Sequence, residues 1–143
     1  MVELRAYGWR LYKFTKRSKK ISMPKLTIDG KIYEVESGKR LVLAITEAGV
    51  NIGHRCGGYA KCTTCRVEFE TGEPDVMTKA EYEKLTDREL LGQVRLSCQI
   101  ECTHDMAIKP VMTLENQPAW QDTGPEPEET VTPEAEWFPF EHS

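Results

Sequence analysis

The sequence predicts an α+β fold, a mixed sheet with one main helix, short helical turns and a functional loop, and three observations predict it. The first is a hairpin signature. Leu26 and Ile28 alternate ahead of Asp29-Gly30, a two-residue turn signal, and Ile32, Tyr33 and Val35 follow it. The second is a helical pattern in LVLAITEAG, where Leu41, Val42, Ile45 and Ala48 recur on one face and Gly49 stops the helix. The third is a short loop that holds three cysteines, Cys56, Cys62 and Cys65. Strand, strand, helix and then a loop that carries the function is the opening of a β-grasp.

The chain has 143 residues, a length that suits one small domain with some tail. Its charge is unevenly spread. Residues 1–22 hold seven arginines and lysines against Glu3, a net of +6, so an overall −4 leaves −10 for the remainder. A basic head precedes an acidic body. That body suits basic protein surfaces and argues against nucleic acid as a partner. No apolar run approaches the ~18 residues of a membrane span, so no membrane association is expected of the body. Three segments follow from these shifts: a basic extension at 1–22, a domain at 23–110 and an acidic, proline-rich tail at 111–143. The head, with Thr15, Ser18 and Ser22 among its lysines, reads as a disordered or non-native upstream extension before a start at Met23, as an organelle transit peptide, or as an aromatic and basic segment for an anionic membrane surface. The tail has no lysine or arginine and has prolines at 118, 125, 127, 133 and 139, a composition that predicts disorder. Its aromatics, Trp120 and the group Trp137, Phe138 and Phe140, offer a way to dock on a partner or to fold back on the domain.

The stretch CGGYAKCTTC organises the body. Five residues separate Cys56 from Cys62, two separate Cys62 from Cys65, and thirty-two more lead to Cys98 inside RLSCQI. A loop this short cannot bury three thiols as ordinary apolar groups, but it can wrap them around a metal centre. Thiolates are soft ligands that suit zinc, copper(I) or iron–sulfur clusters. Three cysteines in one loop and a fourth far along the chain form the arrangement of a two-iron, two-sulfide cluster, whereas structural zinc more often uses two short-spaced pairs. Gly57 and Gly58 let backbone N–H groups approach anionic sulfur. The five cysteines lack the dispersed pattern of a secreted disulfide framework and point to a reducing compartment.

On CGGYAKCTTCRV and RLSCQI, the segment from about Lys25 to Pro110 resembles the 2Fe-2S ferredoxins of β-grasp fold. The five-residue first gap is longer than the four of photosynthetic plant-type members and is similar to the adrenodoxin-like branch and to the ferredoxin domains of some flavoprotein reductases. The resemblance implies a ferredoxin-type fold, a 2Fe-2S cofactor, and Cys56, Cys62, Cys65 and Cys98 as its ligands. Cys56 and Cys62 would hold the iron nearer the surface, and Cys65 and Cys98 the inner one.

The remaining elements fit that frame. RVEFE alternates Val67 and Phe69 with charges, as a half-buried strand does. In the segment VMTKAEYEKLTDRELLGQ, Thr78 with Glu81 and Thr86 with Glu89 have capping-box spacing, which predicts two short helical turns. The corresponding region of adrenodoxin-like proteins is an acidic docking helix. Here Lys79, Lys84 and Arg88 interleave with the acids and favour a solvated, ion-paired face. MAIKP supplies a last strand, ended by Pro110. Cys102 lies four residues past Cys98, about 13 Å along an extended chain at ~3.3 Å per residue, and reads as a free or buried thiol. His54 and His104 raise the Rieske alternative, in which two histidines replace two cysteines, but four cysteines at suitable spacing disfavour it.

The expected function is that of a soluble, monomeric one-electron carrier in the cytoplasm, or in an organelle stroma or matrix if residues 1–22 are a transit peptide. By resemblance, its redox partners are a flavoprotein reductase or photosynthetic donor and an acceptor enzyme. No residue is needed as acid, base or nucleophile, so no enzyme activity of its own is expected. The alternatives are a fixed electron-transfer component of a larger complex, a zinc-bound interaction module, and a redox sensor using Cys102.

Overall fold

The computed structural model describes residues 23–141; the basic head, with the three readings given for it, lies outside the described residues. Strands β1 (Lys25–Ile28) and β2 (Lys31–Glu34) form the expected antiparallel hairpin, with Leu26 opposite Tyr33. Asp29 and Gly30 both take positive φ, 50° and 86°, which a two-residue turn of matching twist requires. Leu26 and Ile28 point into the core, while Ile32, on the outer strand, is 64% exposed. A short β3 (Lys39–Arg40) leads directly into helix α1 (Leu41–Glu47). Leu41, Val42 and Ile45 are buried as the periodicity predicts, and Leu43 and Ala44 join them, so the helix is covered on nearly all sides.

After the cysteine loop come β4 (Arg66–Thr71), β5 (Val76–Thr78), helix α2 (Lys79–Asp87) and β6 (Arg95–Leu96). A 3-10 turn at Ser97–Gln99, β7 (Glu101–Cys102) and β8 (Met106–Pro110) follow. The main sheet has the order β2-β1-β8-β4-β6. Only β1 and β8 pair in parallel, with Leu26 opposite Met106, and the other pairs are antiparallel. Two small sheets, β3 with β7 and β5 with β9 (Trp137–Pro139), flank it. Among the described residues no helix is long and apolar enough to cross a membrane.

Two expectations are corrected. The segment after β5 forms one helix rather than two turns: Thr86 lies inside α2, and Glu89 takes a positive φ beyond its end. Thr78 does cap α2, accepting from the Glu81 N–H at 3.1 Å. Glu81, however, does not reach back to close a capping box, nor does it join a solvated face. Its carboxylate turns inward to the Arg95 guanidinium at 2.8 Å and also accepts from the Leu96 N–H. A buried ion pair outcompetes the local cap because both of its charges are out of water.

The tail is the second correction. Residues 111–141 lie against the domain instead of forming a loose acidic segment. β9 pairs antiparallel with β5, with Val76 opposite Pro139. Phe138 packs edge-on against Tyr82 at 5.5 Å, and the Arg95 guanidinium lies over Phe140 at 5.8 Å. Of the two roles offered by the tail aromatics, folding back on the domain is the one observed. Composition predicts disorder when a segment cannot bury enough apolar surface alone. Here the partners are polar groups and apolar side chains of the distant domain, Tyr82 among them, which the tail's own composition does not register.

The buried Glu81–Arg95 pair generates a stability prediction. Glu81→Ala leaves a buried guanidinium short of its main counter-charge and should lower unfolding free energy by about 3 kcal/mol, read by urea denaturation. Glu83→Ala, on the exposed face of the same helix, should stay within about 0.5 kcal/mol.

Candidate metal centre

The loop from Cys56 to Cys65 owes its shape to a run of left-handed residues. Gly57, Gly58, Ala60 and Thr63 have φ of 74°, 90°, 60° and 56°. Left-handed backbone costs a non-glycine residue and persists where the surroundings enforce it, commonly at functional sites. Thr63 is held by Arg66, whose guanidinium donates to its carbonyl at 2.9 Å and its hydroxyl at 2.7 Å. Gly58 has no room for a side chain: a Cβ there would stand 2.7 Å from Arg40 Nη2 and 3.0 Å from Pro127.

Cys98 comes to this loop from the other side, in the 3-10 turn after β6. The join is made by Ser97, whose N–H (3.1 Å) and hydroxyl (2.7 Å) both donate to the Cys65 carbonyl. The four cysteines so gathered are free thiols in two pairs. Cys56 and Cys62 hydrogen-bond each other at an intermediate depth, and Cys65 and Cys98 do so in the interior, 3% and 0% exposed. Cys102 is a fifth free thiol, buried in the core on β7 opposite Lys39 and outside both pairs.

Donors converge on the sulfurs. The Lys61 N–H reaches Cys56 Sγ at 3.4 Å, Thr64 Oγ1 lies 3.0 Å from Cys62 Sγ, and Gln99 Nε2 donates to Cys98 Sγ at 3.6 Å. These contacts push the two members of each pair in opposite directions. The Cys62 thiol and then the backbone N–H groups of Lys61, Tyr59 and Gly58 bring Cys56 down to about 4, against the effect of burial. Cys62 is pushed up, first by that same bond and then by burial. In the inner pair the Cys65 thiol holds Cys98 below its ordinary value, while the bond to Cys98 and burial raise Cys65. Metal ligation requires the thiolate form, which Cys56 already favours.

The donor set fits a two-iron cluster. The four sulfurs are soft ligands standing as two pairs, the number and kind that two irons take. The histidines of the Rieske alternative are occupied elsewhere. His54 meets the Pro125 carbonyl (2.8 Å) and the Thr123 hydroxyl (3.2 Å), and His104 meets the Gly72 carbonyl (2.7 Å) and the Thr103 hydroxyl (3.1 Å).

Three features escaped the sequence. One is Arg40, wholly buried, whose guanidinium links the Cys98 carbonyl, the Gly58 carbonyl and the tail. Another is Gln99, which donates to the Thr132 carbonyl at 2.6 Å as well as to Cys98, and accepts from Thr78. The last is the tail itself, laid as a strap over the cysteine loop. Its Pro125 and Pro127 approach Gly57 and Gly58, Trp120 stacks under the Arg55 guanidinium at 5.3 Å, and the His54 N–H donates to the Thr123 carbonyl. A signal for Arg40 was present. Arginine is a poor N-cap, and a cation at a helix N-terminus opposes the macrodipole, yet it stands immediately before an apolar helix.

The family model of the 2Fe-2S iron–sulfur cluster binding domain matches residues 26–103. Among curated proteins, the chain is 35% identical over 74 residues to the F subunit of the Na(+)-translocating NADH-quinone reductase of Idiomarina loihiensis, and 33% identical over 91 residues to its counterpart of the same name in Chlamydia pneumoniae. Those alignments cover 52% and 62% of this chain but 18% and 20% of the relatives, so the chain spans about a fifth of their length. Among solved structures, the ISC-like 2Fe-2S ferredoxin of Pseudomonas putida JCM 20004 superposes with a TM-score of 0.53 at 26% identity, covering 62% of this chain and 93% of that one. The ferredoxin reductase in carbazole 1,9a-dioxygenase gives a TM-score of 0.51 at 25% identity, covering 68% and 30%.

Burial pushes the Cys102 thiol from an ordinary 9.0 up to about 12, against the nearby Lys39 ammonium. Because the folded value is the higher one, the neutral thiol's contribution to stability is complete below about pH 9 and lost as pH rises toward 12. The stability advantage of the wild type over Cys102→Ala should therefore shrink across that range, measured by denaturant titration at stepped pH. Gly58→Ala should cost the loop its shape, reducing cluster occupancy in the purified protein by the visible absorbance per chain.

Proposed function

This chain belongs to the 2Fe-2S iron–sulfur cluster binding domain family, and from that premise we propose that it is a one-electron carrier whose cluster is held by Cys56, Cys62, Cys65 and Cys98. The observation that carries the ligand assignment is the pairing of those four thiols, two at intermediate depth and two in the interior, with Cys102 outside both pairs. A 2Fe-2S cluster supplies one-electron chemistry, accepting and releasing a single electron with no substrate bond made or broken.

The protein's own residues bind, polarise and shield. Cys56 and Cys62 would hold the iron nearer the surface, and Cys65 and Cys98 the inner one. Lys61 N–H, Thr64 and Gln99 donate to three of the four sulfurs, which favours the more negative, reduced state. Pro125 and Pro127 keep water from Gly57 and Gly58, while Tyr59, whose hydroxyl donates to Glu128 at 3.3 Å, and Lys61 remain exposed on the loop. These exposed residues are where a redox partner can approach through a small, transient interface. The donor is a flavoprotein reductase or photosynthetic donor and the acceptor an enzyme that consumes single electrons. The carrier is soluble and monomeric, with no catalytic group of its own. The acidic body hastens encounter with basic partners in a salt-dependent way.

A second reading has specific support. The curated relatives matched are subunits of a larger reductase. On that reading the chain is a fixed electron-transfer component of such a complex. Stoichiometric co-purification with a larger complex would favour it, and full-rate electron delivery from free solution would favour the mobile carrier.

Anaerobically purified protein should contain two irons and two acid-labile sulfides per chain, be EPR-silent when oxidised, and give a spin-half signal with dithionite. Zinc without sulfide would overturn the proposal. Serine at any one of Cys56, Cys62, Cys65 or Cys98 should bleach or severely distort the visible spectrum, whereas Cys102→Ser should leave it nearly unchanged.

A further inference from the structure

Among the described residues two arginines are buried, and only one of them has an ion-pair partner. Arg95 faces Glu81 at 2.8 Å and Glu73 at 3.4 Å. Arg40, 1% exposed, forms no ion pair among the described residues, and its guanidinium gives its hydrogens to neutral oxygens. Nε donates to the Cys98 carbonyl at 2.7 Å, and Nη1 to the Glu128 carbonyl at 2.8 Å. Nη2 donates to the Gly58 carbonyl and, at 3.1 Å, to the Thr132 hydroxyl.

Arginine cannot shed its proton, so burial does not neutralise it. A buried charge is costly unless it is both hydrogen-bonded and paired with an opposite charge. Here the hydrogen bonds are satisfied and the counter-charge is not supplied by any carboxylate. The acceptors belong to the turn that carries Cys98, to the loop that carries Cys56 and Cys62, and to the strap. The cation therefore stands where the four sulfurs gather. Four thiolates around two ferric irons and two sulfides carry a net charge of −2, and one added electron makes it −3.

Resting on the reading that these cysteines hold a 2Fe-2S cluster, we propose that Arg40 is the buried counter-charge of that cluster and a residue that sets its reduction potential. Uptake of one electron from a reductant such as dithionite adds a negative charge and requires no bond or proton. A fixed cation in a low-dielectric interior stabilises that added charge and raises the potential. The carbonyl of Glu128 and the hydroxyl of Thr132 hold the fork in place, which gives the strap a part in positioning it.

The test is a redox titration of the full chain, followed by EPR and visible absorbance. Arg40→Gln should lower the ratio of reduced to oxidised cluster at a fixed solution potential by at least tenfold, equivalent to about 59 mV for a one-electron couple. Arg40→Lys, which keeps the charge, should move it by less than half as much. Lys61→Gln, an exposed charge on the same loop, should produce a smaller shift that fades as salt is added. An intact cluster in Arg40→Gln with an unchanged potential would overturn the proposal, as would an equal shift in Arg40→Lys. Should Arg40→Gln fail to hold its cluster, Arg40→Lys carries the test: a retained potential supports the proposal and a tenfold drop sinks it. Wild-type protein with no spin-half signal would instead remove the cluster reading beneath it, an outcome distinct from any of these.

Discussion

The Cys65 carbonyl accepts two hydrogen bonds from Ser97, and the arrangement of the molecule depends on that junction. A centre with ligands from two distant segments requires those segments to be fixed to each other before any metal arrives. The sheet does this coarsely: β4 leaves the cysteine loop and pairs with β6, placing Arg66 opposite Leu96. Ser97 then adjusts the last residue, locking backbone to backbone beside both inner sulfurs. All of this is buried, so each of these polar groups would be costly if left unmatched. The junction is consequently specific, because few other registers would satisfy it.

Around this junction the structure keeps two kinds of buried charge apart. Arg95 and Glu81 neutralise each other and serve to hold β6 against α2, with Thr78 and the tail aromatics completing the arrangement. Arg40 is held by neutral oxygens of the cysteine loop, the Cys98 turn and the tail, with no carboxylate ion pair among the described residues. The chain thus uses the same residue type once for packing and once for electrostatics. The distinction lies in the acceptors and not in the depth of burial.

Much of the fold was legible in the sequence because its signals were local. Asp29-Gly30 has the turn chemistry its hairpin needs, the apolar spacing of Leu41, Val42 and Ile45 matches the face of α1, and the cysteine spacing alone suggested the cluster loop. What stayed hidden is non-local. Glu81 has the spacing of a cap and the solvated look of its helix, and nothing nearby announces that Arg95 will draw it inward. The tail is polar, acidic and rich in proline, and its order comes from groups such as Arg40, His54 and Gln99 that lie some seventy or more residues, or in one case thirty-three, away in sequence. Composition measures what a segment can bury by itself, and this one is anchored by what the domain lends it.

The strap is tethered at both ends. At one end Thr113 bridges Ile52 and Leu114 donates to the Asn51 carbonyl, and at the other Trp137–Pro139 lies in a two-stranded sheet with β5. A segment so fastened is topologically a closed circuit, not a hanging end. Lifting the covering from the cysteine loop requires breaking one of these two anchors together with the contacts between them, so the shelter of the metal centre is tied to the pairing of β5 with β9 and to the bonds at Asn51 and Ile52.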